Sequence, residues 1–219
     1  ILKDEDAYEA FNYYRSNAWK IRGVNEPLNS LEKAGNSQLY SYRFDWDDRR
    51  QHIFGDFKQL FGAAHALEIP LLAGDTTLVG GPPISNFMYP KSISKFYTSR
   101  NMMKFWSNFA KYGEPGYSTN KIKWEPYGID KDNFSSYMIL DKKRNLKMSS
   151  DDQTLKKLSE EVFTDKRLSE TEKCVVLYQM FTYVGNDIYD ENINGYPGKC
   201  DRRASEDFII NNASVIDYD

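Results

Sequence analysis

Histidine is scarce in this chain: His52 and His65 are the only two among 219 residues. Cysteine is equally scarce, with Cys174 and Cys200 alone. A structural zinc site gathers four Cys or His ligands at short spacings, and these four residues are too scattered to supply one. Charge of one sign is missing as well. The 29 Lys and Arg residues face 32 Asp and Glu residues, for a net charge of −3. The basic surplus of a nucleic-acid-binding domain is absent, so no nucleic-acid partner is expected. Apolar runs extend only a few residues, so no membrane-spanning helix is expected. The opening Ile1-Leu2-Lys3-Asp4 has neither an initiating Met nor a signal-peptide layout. The expectation is that residue 1 is not the start of the natural protein.

Aromatic and apolar residues are plentiful. Hydrophobic residues make up 40% of the chain and aromatics 15%, enough to build a core and to exclude intrinsic disorder. Mean hydropathy is nevertheless −0.69, low for a complete enzyme of this size. The length suits one large domain or two small ones.

Helical periodicity is clear at residues 5–20, where Ala7, Ala10, Phe11, Tyr14 and Ala18 share a face. Pro27 as a first helical residue and Gly35 as a left-handed exit predict a second, short helix. Gln38 to Phe44 alternates and predicts a strand. Residues 56–61 read as a short helix, and 75–91, with Gly80-Gly81-Pro82-Pro83, as a loop. The strongest helix runs from Ser92 to Tyr112, with Phe96, Met103, Trp106 and Ala110 as its apolar stripe and Gly113 and Pro115 as its stop. Tyr137 to Leu140 predicts a second strand. Residues 151–163 and the segment opened by the Ser169/Glu172 capping box read as helices. Residues 190–203 read as turns, and the end from 204 as a short helix or tail. Cys174 and Cys200 form either one disulfide, contributing on the order of 3 kcal/mol, or two free thiols. The spacing does not decide between them.

Two strands among five or six helices make a lopsided inventory, which reads as one end of a larger α/β domain. His52, in the polar stretch after Arg49-Arg50-Gln51, reads as a solvated loop residue. His65 is different. It follows Gly62-Ala63-Ala64, small residues that allow close backbone approach, and precedes an apolar run ending at Gly74. A His in such a loop is placed to act as a general base; a purely structural His is the competing reading. Asp45-Trp46-Asp47-Asp48 lacks the spacing and Gly of a calcium loop. The run Asp141-Lys142-Lys143-Arg144 reads as a solvated turn.

Gly62-Ala63-Ala64-His65-x-x-Glu68-Ile69-Pro70 resembles the catalytic-histidine segment of the type-B carboxylesterases, the family that includes the cholinesterases. Four further segments resemble it in the family's order. They are Tyr40-x-Tyr42-x-Phe44-Asp45, Met103-x-Phe105-Trp106-x-x-Phe109-Ala110-x-x-Gly113-x-Pro115, Trp124-x-Pro126-Tyr127 and Tyr137-Met138-Ile139-Leu140. The Trp19–Val24 stretch and Phe44-Asp45-Trp46-Asp47 look closest to bacterial members. The similarity covers about residues 13–142, within a segment 1–142, with 143–219 as a helical C-terminal region. The resemblance implies an α/β fold class: the C-terminal section of an α/β-hydrolase, helix-rich, with the last strands of the sheet. It implies hydrolysis of a small-molecule carboxylic ester by a Ser nucleophile, an acid and a His base, in that chain order. His65 matches the base. No metal and no organic cofactor is implied.

The remaining triad parts have no counterpart here. Gly35-Asn36-Ser37-Gln38-Leu39 and Gly116-Tyr117-Ser118-Thr119-Asn120 lack the closing Gly of the nucleophile elbow, and Gly80-Gly81 follows His65, whereas the family's oxyanion loop precedes it. Asp45, Asp47 and Glu68 do not match the acid's position. Glu68 reads as a buried structural carboxylate, with tuning of the imidazole as the alternative. The expectation is a chain that is inactive alone and whose first partner is the missing N-terminal portion of the hydrolase. Exposed apolar faces would then drive self-association. The rival functional reading is a cholinesterase-like binding or adhesion module without catalysis. A third is an independent small domain of unknown role. A disulfide would point to the periplasm or secretion, and free thiols to the cytoplasm.

Overall fold

A computed structural model describes residues 4–49, 51–52, 55–128, 134–182 and 200. In chain order the elements are α1 (Glu5–Lys20), a π-helical segment (Ile21–Asn25), α2 (Glu26–Lys33), β1 (Tyr42–Phe44), β2 (Gln51–His52), β3 (Gly55–Asp56), α3 (Phe57–Phe61) and α4 (Ile69–Ala73). A 3₁₀ turn (Thr76–Val79), α5 (Ile84–Met88), α6 (Ile93–Tyr112), β4 (Ser135–Leu140), β5 (Lys147–Asp151), α7 (Leu155–Thr164) and α8 (Glu170–Thr182) follow. Two compact units result: residues 31–151, and residues 1–30 together with 152–219. The expectations for 190–203, Cys200 apart, and for the end from 204 fall outside the described residues.

The second unit is helical. The Asp4 carboxylate accepts from the Ala7 N–H at 2.9 Å and starts α1. Ala10, Tyr14, Ala18 and Ile21 are buried with Leu158 and Val162 of α7 and Val176, Leu177, Met180 and Phe181 of α8. Each buried Leu, Val or Phe of such a cluster contributes roughly 1.5–3 kcal/mol. The Ser169/Glu172 capping box forms in both directions: Ser169 N–H donates to Glu172 at 2.7 Å, and Glu172 N–H to Ser169 Oγ at 3.3 Å. Cys174 and Cys200 are joined by a disulfide. The expected short helix is α2, with Pro27 in its first turn and Gly35 at φ +90° beyond its end, but the helical path is continuous with α1 through the π-helical segment. Proline has no N–H for the carbonyl four residues back, and its ring crowds that carbonyl. The turn widens to π geometry just before it, with Glu26 N–H reaching Ile21 O.

The unit 31–151 holds a three-stranded mixed sheet in the order β1-β4-β5. β1 and β4 are parallel, with Tyr42 opposite Met138 and Phe44 opposite Leu140. β4 and β5 are antiparallel, with Ser136 opposite Ser150. The strand expected over 38–44 is cut to three residues. Before Tyr42 the backbone ladder gives out: Ser41 O still accepts from Met138 N–H at 2.9 Å, but it is the Ser41 side-chain Oγ that donates to Ser136 O at 2.8 Å, and Leu39 O accepts from Tyr127 N–H at 2.6 Å. β5 has no apolar alternation, because it is an edge strand in which Met148 alone packs on the core.

Between β1 and β4 the chain crosses over through α3 to α6. The 75–91 stretch, expected as a loop, holds the 3₁₀ turn and α5. α6 keeps its expected bounds, with Ser92 Oγ accepting from Lys95 N–H at 3.0 Å and Gly113 left-handed at φ +76°. Its buried face differs from the expected one. Thr98, Asn101, Met102 and Phe105 are buried, whereas Phe96 is 64% exposed and Met103 is also exposed. Two polar residues disguise the true stripe, and both are satisfied. Thr98 donates to Asp141 O at 3.2 Å, and Asn101 accepts from Thr119 N–H at 2.8 Å. Trp106 is half-buried, edge-on to Tyr42 and Trp124. The core of this unit is Trp46, Leu71, Tyr89, Met102, Phe105, Trp124, Met138, Leu140 and Leu146.

Candidate active site

The parallel strand β1 ends in Asp45-Trp46-Asp47-Asp48, and each acid there has a cation. Asp45 takes Arg43 in a two-point contact at 2.7 Å on each oxygen. Asp47 lies 3.4 Å from Lys58, and Asp48 lies 3.6 Å from Lys142. The acidic turn therefore fastens the strand end to α3 and to the β4–β5 turn. Among the described residues, no group of three or more His, Cys, Asp or Glu side chains gathers as a metal site. Trp46 is fully buried, stacks on Tyr89 with ring centroids 5.9 Å apart, and donates from Nε1 to Ser94 Oγ at 2.9 Å. The run after β4 is not simply solvated. Asp141 is buried and accepts from Lys142 N–H at 2.7 Å and Asn145 Nδ2 at 2.6 Å, which shapes the turn.

His65 lies on the turn joining α3 to α4 and is exposed. α3 starts where Asp56 accepts from the Lys58 and Gln59 N–H groups at 2.9 and 3.1 Å. It stops at Gly62, whose φ of +48° and ψ of −142° suit glycine. Ala66 then takes φ +68°, an uncommon left-handed conformation for a residue with a Cβ. Ala64 N–H to Phe61 O (3.1 Å) and Leu67 N–H to Ala64 O (3.2 Å) close the turn. Pro70 in the first turn of α4 and Gly74 at its left-handed end fix the exit.

Two tyrosines hold the turn, one buried and one at the surface. Tyr89 is fully buried and donates from its hydroxyl to Leu67 O at 2.9 Å. Tyr42 of β1 donates to Glu68 Oε1 at 3.4 Å. Burial pushes both phenols up to about 12, and Glu68 adds to the rise at Tyr42. Both are therefore neutral donors at ordinary pH. Glu68 is half-buried with Tyr42 as a partner, in keeping with a structural carboxylate.

His52 lies in β2, paired with β3, not in a loop as expected. Ser118, in one of the incomplete elbow strings, is buried. Its Oγ accepts from the Asn120 and Ile122 N–H groups, the work of a turn residue. Arg49 belongs to the charged stretch that precedes His52 in the sequence. It is buried, and Nη1 donates to Gly62 O. No sequence pattern announces this, since burial of an Arg depends on what the turn brings against it. Two clefts, of about 510 and 440 Å³, open beside α6, and neither has His65 in its lining.

A helix-rich α/β unit thus presents an imidazole on the turn between α3 and α4, in the crossover that links the parallel strands β1 and β4. Comparison with models of protein families matches the carboxylesterase family over residues 5–161, a span reaching beyond 142. The chain belongs to the carboxylesterase family. Comparison with curated proteins returned no match. Among the described residues, no helix is long and apolar enough to cross a membrane.

Proposed function

We propose that this chain is the C-terminal portion of a serine carboxylic ester hydrolase with an α/β-hydrolase fold, and that His65 is its general base. The nucleophilic Ser and the orienting acid lie upstream in the full-length protein. In that enzyme the His65 imidazole takes the proton from Ser Oγ as the oxygen attacks the ester carbonyl. It returns the proton to the departing alcohol, leaving an acyl-serine. It then activates water, which releases the carboxylic acid and restores the Ser. The acid holds the imidazole in the required tautomer, and backbone N–H groups bind the oxyanion.

The observation that carries this reading is the exposed His65, on a turn pinned at Gly62, Leu67 and Glu68, in a chain of the carboxylesterase family. The disulfide supports residence in an oxidising compartment. An assay with p-nitrophenyl butyrate tests the division of labour. The chain alone should show no turnover, and the enzyme made from the whole coding sequence should show turnover that phenylmethylsulfonyl fluoride abolishes. Turnover by the chain alone that phenylmethylsulfonyl fluoride abolishes would overturn the proposal.

A further inference from the structure

We infer that Arg49 is a positioning residue for His65, setting the turn that carries the imidazole through the Gly62 carbonyl. The inference rests on the reading of His65 as the base and deepens it. Arg49 is 5% exposed. Its Nη1 donates to Gly62 O, the carbonyl where the chain leaves α3 and enters the His65 turn. Its Nε and Nη2 are buried with no hydrogen-bond partner among the described residues.

That arrangement is costly. A buried cation is ordinarily retained with its donors satisfied, and each unmade bond carries a desolvation penalty. The contrast with two other arginines is direct. Arg43 and Arg167 turn the same Nε/Nη2 edge onto Asp45 and Asp165. Arg49 instead engages a single backbone carbonyl, three residues before His65. A buried cation whose side-chain hydrogen bond goes to one neutral acceptor, with the Asp47 charge acting on it through space, is a weak stabilising arrangement. It is well suited to fixing a peptide plane, because a planar guanidinium gives its acceptor a set direction. Gly62 lies in a conformation with few intrinsic restraints, and that plane decides where the following residues go. The other pins, at Leu67 and Glu68, act after His65. Arg49 is the pin before it.

The test uses hydrogen exchange and NMR of the chain itself, in a His52→Gln background so that His65 gives the only imidazole signal. Arg49→Met should speed exchange of the Ala64 and Leu67 amides about tenfold or more, leave α6 amides protected, and shift and broaden the His65 Cε1–H signal. Arg49→Lys should restore part of the protection and bring the His65 signal back toward its original position. Lys123→Gln, which removes an exposed cation from the same unit, should change none of these. Unchanged turn amides and an unmoved His65 signal in Arg49→Met would overturn the inference. If Arg49→Met loses α6 protection as well, Arg49→Lys decides: a native exchange rate at Ala64 and Leu67 with the His65 signal displaced overturns it, and faster exchange confined to the turn supports it. None of these readouts depends on ester turnover, so failure of the triad reading would leave this result intact and separately visible.

Discussion

The two units finish their apolar surfaces differently. In the helical unit, α1, α7 and α8 turn their large side chains on one another. Tyr13 and Trp19 are its exposed large apolar residues among those described. The sheet unit has its own buried core around Trp46 and Phe105, yet it leaves Ile93 89% exposed and Tyr112 73% exposed, with Leu78, Ile84 and Phe96 also open. Surface of that kind marks a place of interaction. The unit that displays His65 is therefore the one with apolar surface to spare. On the proposed reading, that surface receives the rest of the hydrolase.

The largest effect should separate the two faces of α6. Phe105→Ala should cost about 3–5 kcal/mol, as for a buried aromatic, and Phe96→Ala should stay within about 0.5 kcal/mol. Urea denaturation of both variants checks this, and equal losses would put the buried stripe where the sequence alone suggested it. Next, reduction of Cys174–Cys200, separated by 26 positions, should remove about 3 kcal/mol in the chain-entropy model. Hydrogen exchange should locate that loss in α1, α7 and α8 and leave α6 unchanged; a loss shared by both units would break the comparison.

Acid should act more gently and on the helical unit. Arg167, with help from Tyr14, holds the Asp165 carboxyl at about 2, well below its ordinary 3.8. The folded value lies below the unfolded one, so the stabilisation is complete above about pH 4 and is lost as pH falls through about 2. In Asp165→Asn, the exchange-measured stability of α7 and α8 should change less across that window, with Asp152, also held low by Lys157, accounting for part of what remains, and α6 should respond to acid as before. The smallest effect concerns the open surface. A hydrophobic dye should bind the chain, less after the double change Ile93→Ser and Phe96→Ser and equally well after Tyr13→Ser. Sedimentation should show concentration-dependent association that weakens in the same double variant.

Much of the helical framework was legible in the sequence. The ends of α6 are written in Ser92 and Gly113, and the capping box in Ser169 and Glu172, because caps are local chemistry. The faces were harder. Thr98 and Asn101 lie in the buried stripe of α6 with their polar groups satisfied by distant backbone, and periodicity counts only apolar residues. Lys147 to Asp151 is a strand inside the stretch from 143 that was expected to be helical, and it escapes notice because an edge strand needs few apolar side chains. At the site, the small residues around His65 were visible, and so was the resemblance. The clamp was not. Arg49, Tyr89 and Tyr42 reach the turn from 13, 22 and 26 residues away, to Gly62, Leu67 and Glu68, and such convergence exists only once the sheet unit has folded.

The central claim is that His65 is the proton-transferring base of a serine hydrolase, and one substitution tests it most directly. His65→Gln in the enzyme made from the whole coding sequence should lower kcat for p-nitrophenyl butyrate by about 10⁴-fold or more, with folding and KM little changed. Turnover within a few fold of the parent enzyme would contradict the account.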